Sequence, residues 1–376
     1  MMMRKTKTWK MCVVLTNICL AGAMIPGIAR AARAQEQTAD DAPRLVNAAR
    51  ETQAVSGSLG ATVQAIAERS EKAEWLGYGV QQVAGEHSAC CENYGDGELC
   101  GTCRLESGNR GFSTNGNDAA KLESGHRLVV LLRVEGRKVM RIQVASGDCT
   151  LDAGNLPFVW LTHVKASESV QLLSGYTLGA HFAEHGHDGL GDEAVTAIAL
   201  HADAAADRAF ASFIAAGQPE ELRKKASFWL GAARGEAGLA MLRTMAKSDT
   251  SPEVRAQVTF ALSVSHEPGA IDEMIRMARE DGSGHVRGQA LFWLAQKAGK
   301  KAVNAISGAI ENDPETEVKK KAVFALSQLP KDEGVPKLIE VAQTNRNAEV
   351  RKQAMFWLGQ SNDARALDFF EKVLTQ

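Results

Sequence analysis

Residues 1 to 34 contain no Asp or Glu, and beyond them no apolar run is long enough to cross a bilayer; Leu128 to Leu132 falls far short. The second absence excludes a membrane span in the rest of the chain. A basic surplus is missing too, since 43 Lys and Arg stand against 45 Asp and Glu, for a formal charge of −2. Nucleic-acid binding starts from a basic surface, so that class is set aside. Beyond residue 34 there is one CxxC, Cys100 to Cys103, and Arg104 follows where haem attachment requires His. That excludes c-type haem and leaves a double zinc knuckle without its second half.

The first segment opens MMMRKTKTWK, with four basic residues, then runs apolar from Met11 to Ile28 and ends Ala32-Arg33-Ala34. This is the layout of a secretory signal peptide cut after Ala34. Asn17, Gly22, Pro26 and Gly27 make it a poor permanent span, and neither Cys12 nor Cys19 follows the small residues of a lipid-attachment site. Its removal takes away six cations, Arg4, Lys5, Lys7, Lys10, Arg30 and Arg33, and moves the formal charge from −2 to −8. The expected product is a soluble periplasmic or secreted protein.

The strongest internal signal is an echo. Residues 286 to 296 read VRGQALFWLAQ and residues 350 to 360 read VRKQAMFWLGQ, identical at eight of eleven places and 64 positions apart. The underlying step is 32: Leu222, Val254, Val286, Val318 and Val350 form one column, with Ala226, Val258, Ala290, Ala322 and Ala354 four places on, and Leu230, Leu262, Leu294, Leu326 and Leu358 eight on. Leu239, Ile271, Val303, Val335 and Leu367 keep the same time in a second segment. Offsets of 0, 4 and 8 mark one face of a helix, so each unit reads as a helical hairpin. Ser251-Pro252, Asp313-Pro314 and Asn347 supply start signals for the first helix. A worn sixth copy precedes the five, with Leu190, Ala194, Ile198 and Phe210 in register. One such hairpin cannot bury both helices, so the copies must stack into a solenoid.

These motifs resemble HEAT-like repeats, the short bacterial kind also found in phycobilisome lyases, within the armadillo-type superhelix group. The resemblance covers residues 190 to 376 and implies an α-solenoid that holds other proteins. Deoxyhypusine hydroxylase-like arrays use paired His-Glu steps for iron; this chain has the single step His266-Glu267 and so departs from that pattern.

Two further columns bear on function. Trp229, Ala261, Trp293, Ala325 and Trp357 alternate large and small, as facing layers of a filled interior require, and this explains the 64-residue echo. Phe228, Phe260, Phe292, Phe324 and Phe356 lie at about 240° on the wheel, away from the apolar arc at about 340° through 80°. They are either buried, between neighbouring repeats or beneath the amino-terminal domain, or form an aromatic stripe for a partner. Arg223, Arg255, Arg287, Lys319 and Arg351 follow Glu221, Glu253, Glu317 and Glu349 closely, which predicts a neutralised surface row.

The amino-terminal half has another period. Residues 35 to 74 read as linker with a helix from Ala61 to Glu74, and residues 75 to 178 as a small antiparallel β-rich domain. Trp75 to Val80 alternates, Leu128 to Val134 and Val139 to Val144 flank a Gly turn, and Met140, Ile142 and Val144 are expected to point one way. A short helix opens near Ser167 and closes at Gly175. This domain owns Cys90, Cys91, Cys100, Cys103 and Cys149, which fit two disulfides with one thiol over, a zinc site, or redox work by the CxxC.

HFAEHGHDG, residues 181 to 189, holds His181-x-x-Glu184-His185, the inverted zincin spacing, followed by His187. On a helix His181 and His185 share a face for zinc, with Glu184 as general base. Gly186, Gly189 and Gly191 interrupt any such helix. The sequence therefore predicts an α+β protein: a signal peptide, a β-rich module with disulfides, and a HEAT-like scaffold. Its expected role is protein or peptide binding through the Phe column, with no cofactor and no chemistry of its own. A metal-dependent hydrolase at residues 181 to 185 is the alternative.

Overall fold

The computed structural model describes residues 40–85, 102–106, 127–179, 189–297 and 299–375. In the amino-terminal half the strands are β1 (Leu45–Val46), β2 (Ala49–Ala54), β3 (Glu74–Gln81), β4 (Thr102–Arg104), β5 (Arg127–Glu135), β6 (Lys138–Ser146), β7 (Thr150–Asp152) and β8 (Pro157–Thr162). Two helices accompany them, α1 (Leu59–Arg69) and α2 (Ala166–Gly179). Five strands form a sheet in the order β2-β8-β3-β5-β6, and β1-β7-β4 form a second, parallel one.

The larger sheet is mixed, which corrects the antiparallel expectation: β2 and β3 both run parallel to β8, while β3, β5 and β6 are antiparallel. Residues 49–54, read as linker, are an edge strand whose exposed polar side chains hide its role from any alternation test. The first helix ends at Arg69, with Ser70 capping it, because Glu74 already belongs to β3. The second runs on through Gly175 to Gly179. Between β5 and β6 the turn residues Gly136 and Arg137 have φ of 58° and 67°, the left-handed pair of a two-residue hairpin. Met140 does not point inward with Ile142. A register shift beside Arg133 and Val134 pairs Val139 with Val134, so Val139 is buried and Met140 is 46% exposed.

Strand β5 is buried on both faces. Leu128, Val130, Leu132 and Val134 join α1, α2 and the solenoid in one core, while Val129 and Leu131 meet Trp75, Phe158, Trp160 and the small sheet in another. Both indoles are satisfied, Trp75 Nε1 donating to Glu106 and Trp160 Nε1 to the Asp40 carbonyl, each at 2.8 Å.

Twelve helices follow as six hairpins: α3 (Leu190–Ala199), α4 (Ala204–Phe213), α5 (Glu220–Ala233), α6 (Gly235–Ser248), α7 (Pro252–Val264), α8 (Ala270–Glu280), α9 (Gly284–Lys297), α10 (Gly299–Asn312), α11 (Thr316–Ser327), α12 (Lys331–Thr344), α13 (Ala348–Gln360) and α14 (Ala364–Leu374). Ser251 and Asn347 cap their helices as expected, accepting from the backbone N–H of Val254 and Glu349. The columns at offsets 0, 4 and 8 are buried in all five copies. First helices of successive hairpins pack side by side, and small residues let them approach. A Cβ on Gly231 would sit 2.0 Å from the Ala261 carbonyl oxygen.

Hairpin α3–α4 seats the array on the sheet. Glu193 accepts from the Ile142 N–H at 2.7 Å, and backbone bonds join Val83 to Leu200 and Ala202 to Gln81. Behind them, Tyr78, Ser169 and His201 are all fully buried. The Tyr78 hydroxyl and Ser169 Oγ are 2.8 Å apart, as are Ser169 Oγ and His201 Nε2, while His201 Nδ1 donates to the Ala197 carbonyl at 2.7 Å. That bond makes Nε2 the acceptor, so protons run from Tyr78 to Ser169 to His201. Burial pushes the Tyr78 phenol up and the His201 imidazolium down to about 4, the latter opposed by the Ala197 carbonyl and helped by the charge of Arg234. A Ser–His pair sealed from solvent in this way joins two parts of the fold.

Candidate functional site: an aromatic ladder along the first helices

The Phe and Trp columns are adjacent on each first helix, and stacking the helices brings the two columns together. Trp229 meets Phe228 edge-on at 5.2 Å, Phe228 stacks on Phe260 at 5.8 Å, and Phe260 leans on Trp293 at 4.7 Å. The same three geometries then recur: Trp293 to Phe292 at 4.9 Å, Phe292 to Phe324 at 6.0 Å, Phe324 to Trp357 at 4.9 Å. Trp357 to Phe356 at 5.0 Å closes the series. Eight rings thus touch in unbroken sequence across five hairpins, with a structural period of 64 residues. The echo is the repeat of this ladder.

Phe228, Phe260, Phe292 and Phe324 are half-buried, and Phe356 is 55% exposed. The column thus serves repeat packing and reaches solvent at once. The alternation has a steric cause: Trp293 covers Phe260 and Trp357 covers Phe324, each one helix back, so the intervening column positions Ala261 and Ala325 are fully buried and small. Ala261→Trp is expected to overpack this site and destabilise by about 1 to 3 kcal/mol in thermal unfolding. An unchanged melting curve would count against the pairing. Beside Trp357 a crevice of about 260 Å³ opens, lined by Leu326, Leu329, Val335, Leu338 and Gln360 among others.

The basic column departs from its expected role. Arg223, Arg255 and Arg287 do not lie in a surface row with the Glu before them; they turn inward to Asp249, Asp281 and Asp313, with closest contacts of 2.8, 2.8 and 2.7 Å. Offset 1 falls at about 100°, on the border of the apolar arc, so the guanidinium reaches the loop that ends its own hairpin. Arg255 and Arg287 also donate to the carbonyls of Asp249 and Asp281, the loop before. Each Arg therefore ties two successive loops. Asp249, Asp281 and Asp313 accept in turn from the N–H groups of Ser251, Ser283 and Glu315, so Asp313 positions the loop and does not cap α11. Burial alone would raise the Asp281 carboxyl, yet the bonds from Arg255 and Ser283 hold it below its ordinary value. The Arg287 guanidinium is held above its own by Asp313.

The Asp column also recurs every 32 residues, and that spacing was its only sequence signal. In the fourth copy the tie is absent: Asn345 replaces Asp, and Lys319 donates to the Glu311 carbonyl. Among the described residues Arg351 meets only the carbonyls of Asn345 and Arg346.

Cys103 and Cys149 are fully buried and both disulfide-bonded. Cys90, Cys91 and Cys100 lie outside the described residues, as do His181, Glu184, His185 and His187 of the hydrolase alternative. Among the described residues no group of three or more His, Cys, Asp or Glu is placed to hold a metal, and no helix is long and apolar enough to cross a membrane.

Comparison with known proteins agrees with the repeat architecture. A family model for HEAT repeats matches residues 271–354 and, one unit on, residues 303–376. Among solved structures, the complex of CpcE and CpcF of phycocyanin lyase from Nostoc sp. PCC7120 is 24% identical, covering 41% of this chain and 99% of that one, with a TM-score of 0.32. Human deoxyhypusine hydroxylase in complex with glycerol is 16% identical, covering 56% of this chain and 80% of that one, with a TM-score of 0.29. Neither likeness is close enough to carry an argument about activity. No curated protein matches the chain. The hairpins within residues 271–376 are HEAT-like repeats.

Proposed function

We propose that this chain is an exported scaffold whose HEAT-like array binds a protein or peptide partner along the aromatic ladder. The observation that carries the reading is the unbroken run of eight rings, half-buried in the middle and exposed at Phe356. Aromatic side chains held rigid by one another present a large contact area at little further entropic cost, which is what binding hot spots use. Export is supported by the basic and apolar first segment with Ala32-Arg33-Ala34, and by disulfides at Cys103 and Cys149. In this reading the β-rich module anchors the array through Tyr78, Ser169 and His201, and the partner lies across the first helices.

The test is recovery of co-purifying protein by the full chain and by Phe260→Ser with Phe292→Ser, after circular dichroism shows that the variant keeps its helices. Loss of a specific co-purifying protein is expected. Equal recovery would remove the ladder from the binding reading.

A further inference from the structure

We infer that the ladder's partner is an extended acidic segment in which carboxylates alternate with apolar side chains; this rests on the binding role proposed above. Along each first helix the Phe has three flanking positions, at offsets 2, 3 and 10, within about 6 Å of it along the helix axis. Across five hairpins these positions hold Lys224, Lys225, Lys320, Lys321 and Lys352, six Gln, and no Asp or Glu. Acids are kept further back toward the helix starts, at Glu221, Glu253, Glu317 and Glu349. A chain with more acids than bases thus borders its aromatic row with Lys, Gln and four small or apolar residues, Ala232, Ala256, Val264 and Gly288, and with no acid.

Three of the lysines are engaged, Lys224 with Glu221, Lys320 with Glu317 and Lys225 with Asp192. Lys321 and Lys352 are exposed and reach no carboxylate among the described residues. Their places matter. Lys321 lies over Gly288, where an added Cβ would meet its Cδ at 2.4 Å, and so sits beside the stacked Phe292 and Phe324. Lys352 stands one turn before Phe356, the most exposed ring of the ladder.

Phe260 lies between Phe228 and Trp293, and Phe324 between Phe292 and Trp357, so these rings are fixed by their neighbours on both sides. The strip therefore offers ammonium groups and amide donors around an apolar floor. Its complement is apolar side chains on the rings and carboxylates beside them. Neighbouring helices lie about 8 to 10 Å apart and an extended chain advances about 3.3 Å per residue, so each hairpin takes about three residues. The whole strip spans a segment of about 12 to 15.

Three synthetic 14-residue peptides of identical Leu and Phe pattern, with Glu, Gln or Lys at the remaining positions, would be titrated against the full chain by fluorescence anisotropy. The Glu peptide is expected to bind at least tenfold more tightly than the Gln or Lys peptide at low salt. That advantage should shrink at high salt. Lys321→Glu with Lys352→Glu, both at exposed positions, should turn the preference toward the Lys peptide. Equal affinity for all three peptides, preference for Lys by the native chain, or no binding of the Glu peptide overturns the inference. Equal affinities all lost in Phe260→Ser with Phe292→Ser would overturn it while leaving the ladder as a binding site; affinities unmoved by those Phe changes would sink both.

Discussion

Asp249→Ala is expected to lower stability by about 3 to 5 kcal/mol, because it strands a guanidinium inside the array. The Arg223 and Asp249 side chains are only 6% and 4% exposed and meet at 2.8 Å. Without the carboxylate, Arg223 keeps one contact, to the Gln218 carbonyl, and the Ser251 N–H loses its acceptor as well. Asn345→Ala changes the same column where no Arg pairs with the side chain, so it should cost only about 1 kcal/mol, through loss of the contacts to the Asn347 N–H and to Glu311. Urea unfolding of both variants provides the comparison. Equal losses would mean that these Arg–Asp pairs do not hold the loops together. The same contrast predicts that the solenoid opens first between loops 313 and 345, which a single amide contact from Asn345 to Glu311 joins in place of an Arg–Asp pair.

The second large effect is a loss of stability on mild acidification that vanishes in His201→Asn. In the folded chain burial holds this imidazole neutral, with its pKa pushed down to about 4 from 6.5. Unfolded, the ring takes up a proton as pH falls through its ordinary value, while the folded ring does not. Its stabilising contribution is complete above about pH 6.5, declines as pH drops, and is gone below about 4; the shift corresponds to roughly 3 kcal/mol. The charged groups beside it are Arg234, which donates to the His201 carbonyl and disfavours a second cation, and Asp203, which favours one. Carboxylates with lowered values, such as Asp281, act in the same direction at lower pH. Unfolding free energy at pH 7.5 and at pH 4.5 would be measured for the native chain and for His201→Asn. Matching pH slopes in the two proteins would refute the assignment to His201.

How far the fold was legible differs between the halves for a physical reason. A 32-residue period writes the same burial pattern five times, so chance cancels and hairpins, packing columns and the pairing of copies can all be read. The amino-terminal half says each thing once. Exposed β2 has no alternation to betray it, the register shift moves Met140 outward against its hydrophobicity, and parallel pairing with β8 depends on chain crossovers that leave no local mark. The candidate site was half legible. The Phe column stood out on the helical wheel, whereas its union with the Trp column needs two neighbouring helices to exist.

By itself, the sequence determined that the carboxyl half is a stack of helical hairpins, which side of each is buried, and that copies work in pairs. These follow from periodicity, a property of one chain read along its length. Only the tertiary structure decided that five Phe and three Trp make one continuous ladder, that Arg223, Arg255 and Arg287 turn inward to Asp, and that Tyr78, Ser169 and His201 lock the array to the sheet. Each of these joins residues from different elements, and the free energy that brings them together belongs to the packed assembly of helices and strands.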